Sequence, residues 1–135
     1  MEFYTTKIKK LPGTSYSEVL PQANAIYKSL QARTKRRPYL RSAYFKKEKI
    51  FLDYFWHHLR EKRLNDRMRR LQYYACGLDL IAHSHVKPIK ALNPNRPSEV
   101  WYRFVGKNGN GEKFTVQIKE NKDGEKSLMS IYPCN

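Results

Sequence analysis

The sequence predicts an α+β fold in which N-terminal helices pack on one face of a small C-terminal antiparallel β-meander. Three observations carry this. Near the C-terminus, the runs EVWYRFVG, EKFTVQIKEN and SLMSIYP alternate like strands and are separated by KNGNG and KDGEK. The Asn-Gly and Asp-Gly steps in those separators supply the positive φ angles of tight hairpin turns. Upstream, apolar residues recur at helical spacing, and the order of helices first and strands last is that of α+β proteins. With 135 residues, the chain is long enough for one modest core, so a single domain over 1–135 is expected.

Residues 1–15 contain Pro12-Gly13 and the basic Lys7, Lys9 and Lys10, an arm or a small edge strand. From Ser15 or Ser17 a helix is expected, because Val19, Ala23, Ile26, Tyr27 and Leu30 fall on one face and Glu18 suits the first turn. Pro21 is tolerated there because first-turn amides lack intrahelical partners. The run Arg33-Thr34-Lys35-Arg36-Arg37-Pro38 ends the helix through charge repulsion and the pre-proline restriction. Tyr39 to Lys49 is too aromatic for a loose linker and too basic for full burial, an ordered connection. A helix is expected from Lys47 or Glu48 to Lys62, on the stripe Phe51, Leu52, Phe55, Trp56 and Leu59. Another follows, with Leu64, Met68, Leu71, Ala75, Leu78 and Ala82 spaced by fours and threes and ending near Ala82 to Ser84. Gly77 inside it costs about 1 kcal/mol against alanine unless it permits close packing. Pro88, Pro94 and Pro97 mark a crossover to the meander, and a further strand within Tyr39–Phe45 or Ile89–Leu92 would complete the sheet.

Lys and Arg number 27 against 12 Asp and Glu, a formal charge of +15. So much self-repulsion on a short chain points to a polyanionic partner, with nucleic acid foremost. No apolar run approaches the ~20 residues of a membrane span, and the N-terminus has no signal-peptide core, so a soluble cytoplasmic protein is expected. Cys76 and Cys134 lack CxxC spacing and read as reduced thiols. No Walker loop, GxGxxG, GxSxG, HExxH or CxxC occurs, so the sequence gives no support for nucleotide hydrolysis, serine hydrolase chemistry or a metal centre.

Two constellations remain. The first is basic: Arg33, Lys35, Arg36, Arg37, Arg41, Lys46, Lys47 and Lys49, then Arg60, Lys62, Arg63, Arg67, Arg69 and Arg70, with Tyr39, Tyr44 and Phe45 interleaved. Cations with aromatic faces between them suit single-stranded nucleic acid, through counterion release and base stacking; the plain alternative is a solvated charged surface with the aromatics in the core. Arg36, Arg37, Tyr39, Tyr44, Lys46, Lys47, Lys49, Arg67 and Arg70 are the nucleic-acid-binding candidates. The second lies on the polar parity of the meander, where Arg103, Gln117, Lys119, Ser130 and Tyr132 fall on one side if registry allows. Cations stabilise the added negative charge of a pentacoordinate phosphorane, and hydroxyl and amide groups hold the phosphate; an ordinary polar surface would share the spacing. A metal-free nuclease also needs a proton-transfer group near neutral pKa, and His58 is favoured among His57, His58, His83 and His85. No acidic base stands out, since Glu120 has the wrong parity and Asp53 reads as structural.

The segments RRPYLRSAYFKKEKIFLDYFWHHL, DRMRRLQYYACGLDLI, NPN, RFVGKNGNGEKFTVQIKE and SLMSIYP resemble a family of phage and mobile-element proteins within the barnase, EndoU, colicin and RelE group of RNase-like domains. The resemblance runs from about Arg36 to Pro133, and its first block is the most distinctive. It implies N-terminal helices on a four-stranded antiparallel sheet and a metal-independent, cofactor-free endoribonuclease or toxin. In that reaction a ribose 2′-OH attacks the adjacent phosphate and leaves a 2′,3′-cyclic phosphate. Gln117, Lys119 and Ser130 match the family's C-terminal strands, and His58 and Arg41 are carried over from the first block. The implied roles are phosphorane stabilisation by Lys119 and Arg103, substrate orientation by Ser130 and Gln117, and proton transfer by His58. RNA is the implied partner, single-stranded rather than duplex, with an inhibitor or antitoxin protein as a second. The alternatives are a nucleic-acid-binding accessory protein that does not cut, and a structural phage component that holds packaged nucleic acid.

Overall fold

A computed structural model describes residues 2–134. The chain runs β1 (Tyr4–Thr5), α1 (Tyr16–Arg33), β2 (Tyr39–Arg41), β3 (Lys49–Phe51), α2 (Asp53–Leu59), α3 (Leu64–Gln72), α4 (Tyr74–His83), β4 (Ile89–Asn93), β5 (Arg96–Lys107), β6 (Lys113–Glu120) and β7 (Lys126–Pro133). The α+β class is as expected, but the helices do not all precede the strands, since β1 comes before α1 and β2 and β3 lie between α1 and α2, and the sheet is larger than a meander. Seven strands form one mixed sheet in the order β1-β5-β6-β7-β3-β2, with β4 also on β5. β5, β6 and β7 are successive antiparallel neighbours, whereas β1 joins β5 and β3 joins β7 in parallel.

Three helix expectations need correction. Pro21 lies in the second turn of α1, inside the helix and not in its first turn. Lys49–Phe51 is a strand, not the first turn of a helix, because Ile50 is fully buried between flanking exposed and half-buried residues and its backbone pairs with β2 and β7. Sheet pairing overrides a weak local preference there. The long helix expected from Leu64 to Ala82 is broken at Tyr73, which leaves helical geometry at φ −96°, ψ 7°. The break turns Tyr73 onto Phe114, with ring centroids 6.1 Å apart.

Partners directly opposite in a ladder share a sheet face. The apolar face carries Tyr102, Phe104, Gly106, Phe114, Val116, Ile118, Leu128, Ile131 and Ile50. α4 covers part of it: a Cβ on Gly77 would lie 2.9 Å from Ile131 Cγ1, so the glycine lets the helix approach closely. The β2–β3 hairpin covers more, with Phe45 4.9 Å from Tyr102 and Tyr44 5.7 Å from Phe104, centroid to centroid. Lys126, 7% exposed, ties that hairpin down through Glu48 at 2.7 Å and Glu120 at 3.1 Å. Burial pulls its ammonium pKa down, and the two carboxylates more than reverse this and hold it above the usual lysine value.

The expectation that every helix lies on the apolar face also fails. Of β7, β3 pairs with Lys126 and Ser127 alone, and α2 and α3 pack against β7 as well. From there Tyr54 and Arg70 reach groups of the opposite face, Lys119 and Ser130.

Candidate phosphate-binding face

The second face begins with a register that the sequence could not supply. Arg103, Gln117 and Ser130 lie in one row across β5, β6 and β7, and Trp101, Lys119 and Ser127 in the next. A bulge at Met129 shifts β7 by one residue between Leu128 and Ser130. The extra residue lets Leu128 and Ile131 both enter the core while Ser127 and Ser130 both face the other way. Without it, alternation would put Ser127 and Ser130 on opposite faces.

Contacts within this face are polar and cationic. Arg103 Nε donates to Gln117 Oε1 at 3.4 Å, and Gln117 Nε2 lies 3.3 Å from Met129 Sδ. Arg70, from α3, donates to the Ser130 hydroxyl and holds Asp66 at 3.4 Å. The same guanidinium lies 5.4 Å from the Tyr132 ring. Lys119 Nζ stands 3.7 Å over the Tyr54 ring, and His58 stacks on that tyrosine with centroids 5.8 Å apart. Thr115, Gln117, Ser127 and Ser130 are each no more than 7% exposed. The polar side of the meander is therefore a buried polar floor rimmed by Arg70, Arg103 and Lys119.

His58 borders a tight crevice with Phe55, Lys62, Arg70, Met129 and Ser130, with no room for a water molecule. Its Nδ1 is 3.3 Å from Glu61 Oε2 but not aligned for a hydrogen bond. Burial lowers its pKa below the usual histidine value, and Lys62 and Arg70 act in the same direction against Glu61. The neutral imidazole, a proton acceptor, is thus the favoured form near pH 7.

One carboxylate on this face was missed in the sequence. Glu99 shares the parity of Trp101 and Arg103, is 9% exposed, and accepts from Trp101 Nε1 at 2.8 Å and Asn93 Nδ2 at 3.1 Å. Burial pushes its pKa up, but the donors Trp101 and Asn93 and the charges of Lys119 and Arg96 outweigh this and keep it below the usual glutamate value. The EVWYR alternation was the signal that could have found it. Tyr54 gave no signal, because its place over Lys119 depends on how α2 packs. Glu120 lies on the apolar face, where Tyr102 and Lys126 bind it.

The other basic candidates divide sharply. Arg41 is on β2 at the far edge of the sheet, donates to the Lys47 carbonyl at 3.0 Å, and does not join the Ser130 row. Arg37 is bonded to both Asp53 and Glu125 and covers the Phe51 ring at 4.1 Å, a structural clamp. Asp53 is accordingly a structural acid: burial raises its pKa, and Arg37 more than reverses that. Arg67 donates to the carbonyls of Lys62 and Arg60 at 2.8 and 2.7 Å. Tyr44 packs against the core instead of offering a free face. Lys46 and Lys47 are exposed at φ 53° and 71° in the hairpin. Arg36, Lys49 and Tyr39 line an open pocket of about 650 Å³ at the β2–β3 end of the sheet.

Comparison with protein-family models, with curated proteins and with solved structures found no match. No helix among the described residues is long and apolar enough to cross a membrane.

Proposed function

We propose that the protein is a barnase/RelE-like, metal-independent endoribonuclease acting on single-stranded RNA, with its reaction site on the buried polar floor. The observation that carries this reading is the row Arg103–Gln117–Ser130, completed by Arg70 and flanked by Lys119. Three cations around neutral donors and acceptors suit a phosphodiester that gains negative charge as it becomes pentacoordinate. Because the Ser130 oxygen accepts from Arg70, its own hydrogen is available to a non-bridging phosphate oxygen. Gln117 and Arg103 orient and neutralise the same group, and Lys119 acts one row away. His58, biased to its neutral form, accepts the 2′-OH proton as that oxygen bonds to phosphorus. The bond to the 5′-oxygen then breaks, the leaving oxygen takes a proton from solvent, and a 2′,3′-cyclic phosphate remains. Glu99 is fixed by two donors and serves as a structural anion that holds Trp101 beside Lys119. The cytoplasm is the compartment this reading calls for, and an inhibitor or antitoxin would be its natural regulator.

Incubation of the purified protein with mixed RNA in EDTA tests the reading. Cyclic-phosphate termini that disappear in both Lys119→Ala and His58→Ala support it, and intact RNA refutes it. A second reading, RNA binding without cleavage, is favoured by the crevice between His58 and Ser130, which has no water-sized space. Under it, affinity is salt-sensitive and no product forms.

A further inference from the structure

The pocket at the β2–β3 end of the sheet lies outside the Arg103–Gln117–Ser130 row, yet it is the roomier of the cationic concavities. Its walls are Arg33, Lys35, Arg36 and Lys49, and its aromatic floor is Tyr39 with Phe51. Among the described residues, no ion pair joins any of those four cations to a carboxylate, whereas Arg37 beside them is paired twice. Four uncompensated cations in one concavity repel one another, and an entering polyanion relieves that repulsion. The end of α1 would present carbonyls that oppose an anion. Thr34 blunts them: its N–H donates to Gln31 O at 3.3 Å and its hydroxyl to Leu30 O at 3.2 Å.

The register connects this pocket to the proposed reaction site. Tyr39 pairs with Phe51, Phe51 with Ser127, Ser127 with Lys119 and Lys119 with Trp101, so these residues form one row on one sheet face. Three strand spacings separate Tyr39 from Lys119, on the order of 14 Å along the sheet. Asp53 and Glu125, two residues from Phe51 and Ser127 in the chain, are both neutralised by Arg37, and Glu120, next to Lys119, lies on the other face and pairs with Lys126. These three carboxylates beside the path are thereby paired with cations. The rings along it, Tyr39, Phe51 and Tyr54, each carry a cation, Lys49, Arg37 and Lys119 respectively, so positive charge runs from the pocket to the floor.

We infer that this pocket is an extension subsite that binds backbone phosphates of the same single RNA strand whose reacting phosphate lies at Ser130. The inference rests on the RNA reading for its ligand but not on cleavage. It predicts that affinity for single-stranded RNA depends on Arg36 and Lys49, which touch no residue of the Ser130 row.

Fluorescence anisotropy with a labelled single-stranded 2′-O-methyl RNA, which cannot undergo 2′-OH attack, measures binding across a salt series. Each phosphate contact contributes about 0.7 to the slope of log K against log salt for single strands. The R36Q/K49Q variant should therefore lose about 1.4 from that slope. K87Q/K122Q, which removes the same charge from exposed positions elsewhere, should lose much less. All four side chains are exposed, and circular dichroism confirms that both variants fold. Equal losses in the two variants overturn the inference, as does an unchanged slope in R36Q/K49Q. Tripolyphosphate tests the free-ligand alternative by calorimetry; binding to the parent that R36Q/K49Q abolishes, together with an unchanged RNA slope, would assign the pocket to a free polyphosphate instead. Cleavage is scored separately in EDTA. Intact RNA with a reduced slope removes the enzyme and keeps the subsite; cleavage with an unchanged slope does the reverse. Absence of RNA binding by the parent protein overturns both.

Discussion

Gly77→Ala tests the packing that sets the position of β7 and, with it, Ser130. A Cβ at this position would lie 2.9 Å from Ile131 Cγ1 and 3.2 Å from Cγ2, and closer still to Cδ1. Ile131 is fully buried and adjoins Ser130, so it has little freedom to turn away. Overpacking of this kind costs about 1–3 kcal/mol, and contact with three atoms of one side chain puts the estimate near ~3. Alanine returns about 1 kcal/mol through its better helix propensity. The expected net loss is about 2 kcal/mol. With a urea m-value of about 2 kcal/mol/M, the midpoint falls by about 1 M. Urea denaturation followed by circular dichroism measures it. Ile131→Val removes the nearest methyl and alone should cost about 1 kcal/mol; in the Gly77→Ala background it should cost less or restore stability. A Gly77→Ala protein as stable as its parent, or two substitutions whose costs simply add, would show that α4 does not bear on β7 as described.

Acid stability should carry two separable signatures. The lowered pKa of His58 favours its neutral form in the fold, so its contribution is fully present above the unfolded value of 6.5 and is lost as pH falls through the folded value. An NMR titration should place His58 below 6.5, and His58→Gln should flatten that limb. The lowered Glu99 contributes stability above its unfolded value of 4.5 that is lost as pH falls through the folded value; Glu99→Gln should remove that dependence and alter Trp101 fluorescence. Lys126→Ala, which strands Glu120 and Glu48 beside Phe45, should cost about 2–3 kcal/mol in urea, less than a fully buried ion pair because Glu48 is half exposed, whereas Lys126→Met should recover part of this by keeping the stem. Of the two thiols, exposed Cys134 should react rapidly with a disulfide reagent in the native state. Cys76, buried and pushed up to about 11 by that burial, should react only on unfolding.

Much of this architecture is legible in the sequence because it depends on local chemistry. The hairpin turns between β5, β6 and β7 follow from Asn-Gly and Asp-Gly, and α1 follows from one apolar stripe ended by a basic run and a proline. The alternation of Phe114, Val116 and Ile118 marks a core face whatever covers it. That Lys119 and Gln117 face the other way follows from the same alternation. Net charge raises the expectation of a polyanionic partner before any fold is known.

Other features depend on elements distant in the chain. Lys49–Phe51 reads as helix until β7 offers its edge, and the break at Tyr73 appears only once Phe114 is there to receive the ring. The Met129 bulge decides that Ser127 and Ser130 share a face, and no alternation rule anticipates one inserted residue. Alternation could place Arg103, Gln117 and Ser130 on a common side but could not set their row, because register is fixed by turn length and by the core they enclose. Arg70 reaches Ser130 from sixty residues away, through the packing of α3 beside β7. The sequence determined that a basic polar surface exists; the tertiary structure decided which cations surround the buried floor and which, like Arg37, are spent on holding the fold together.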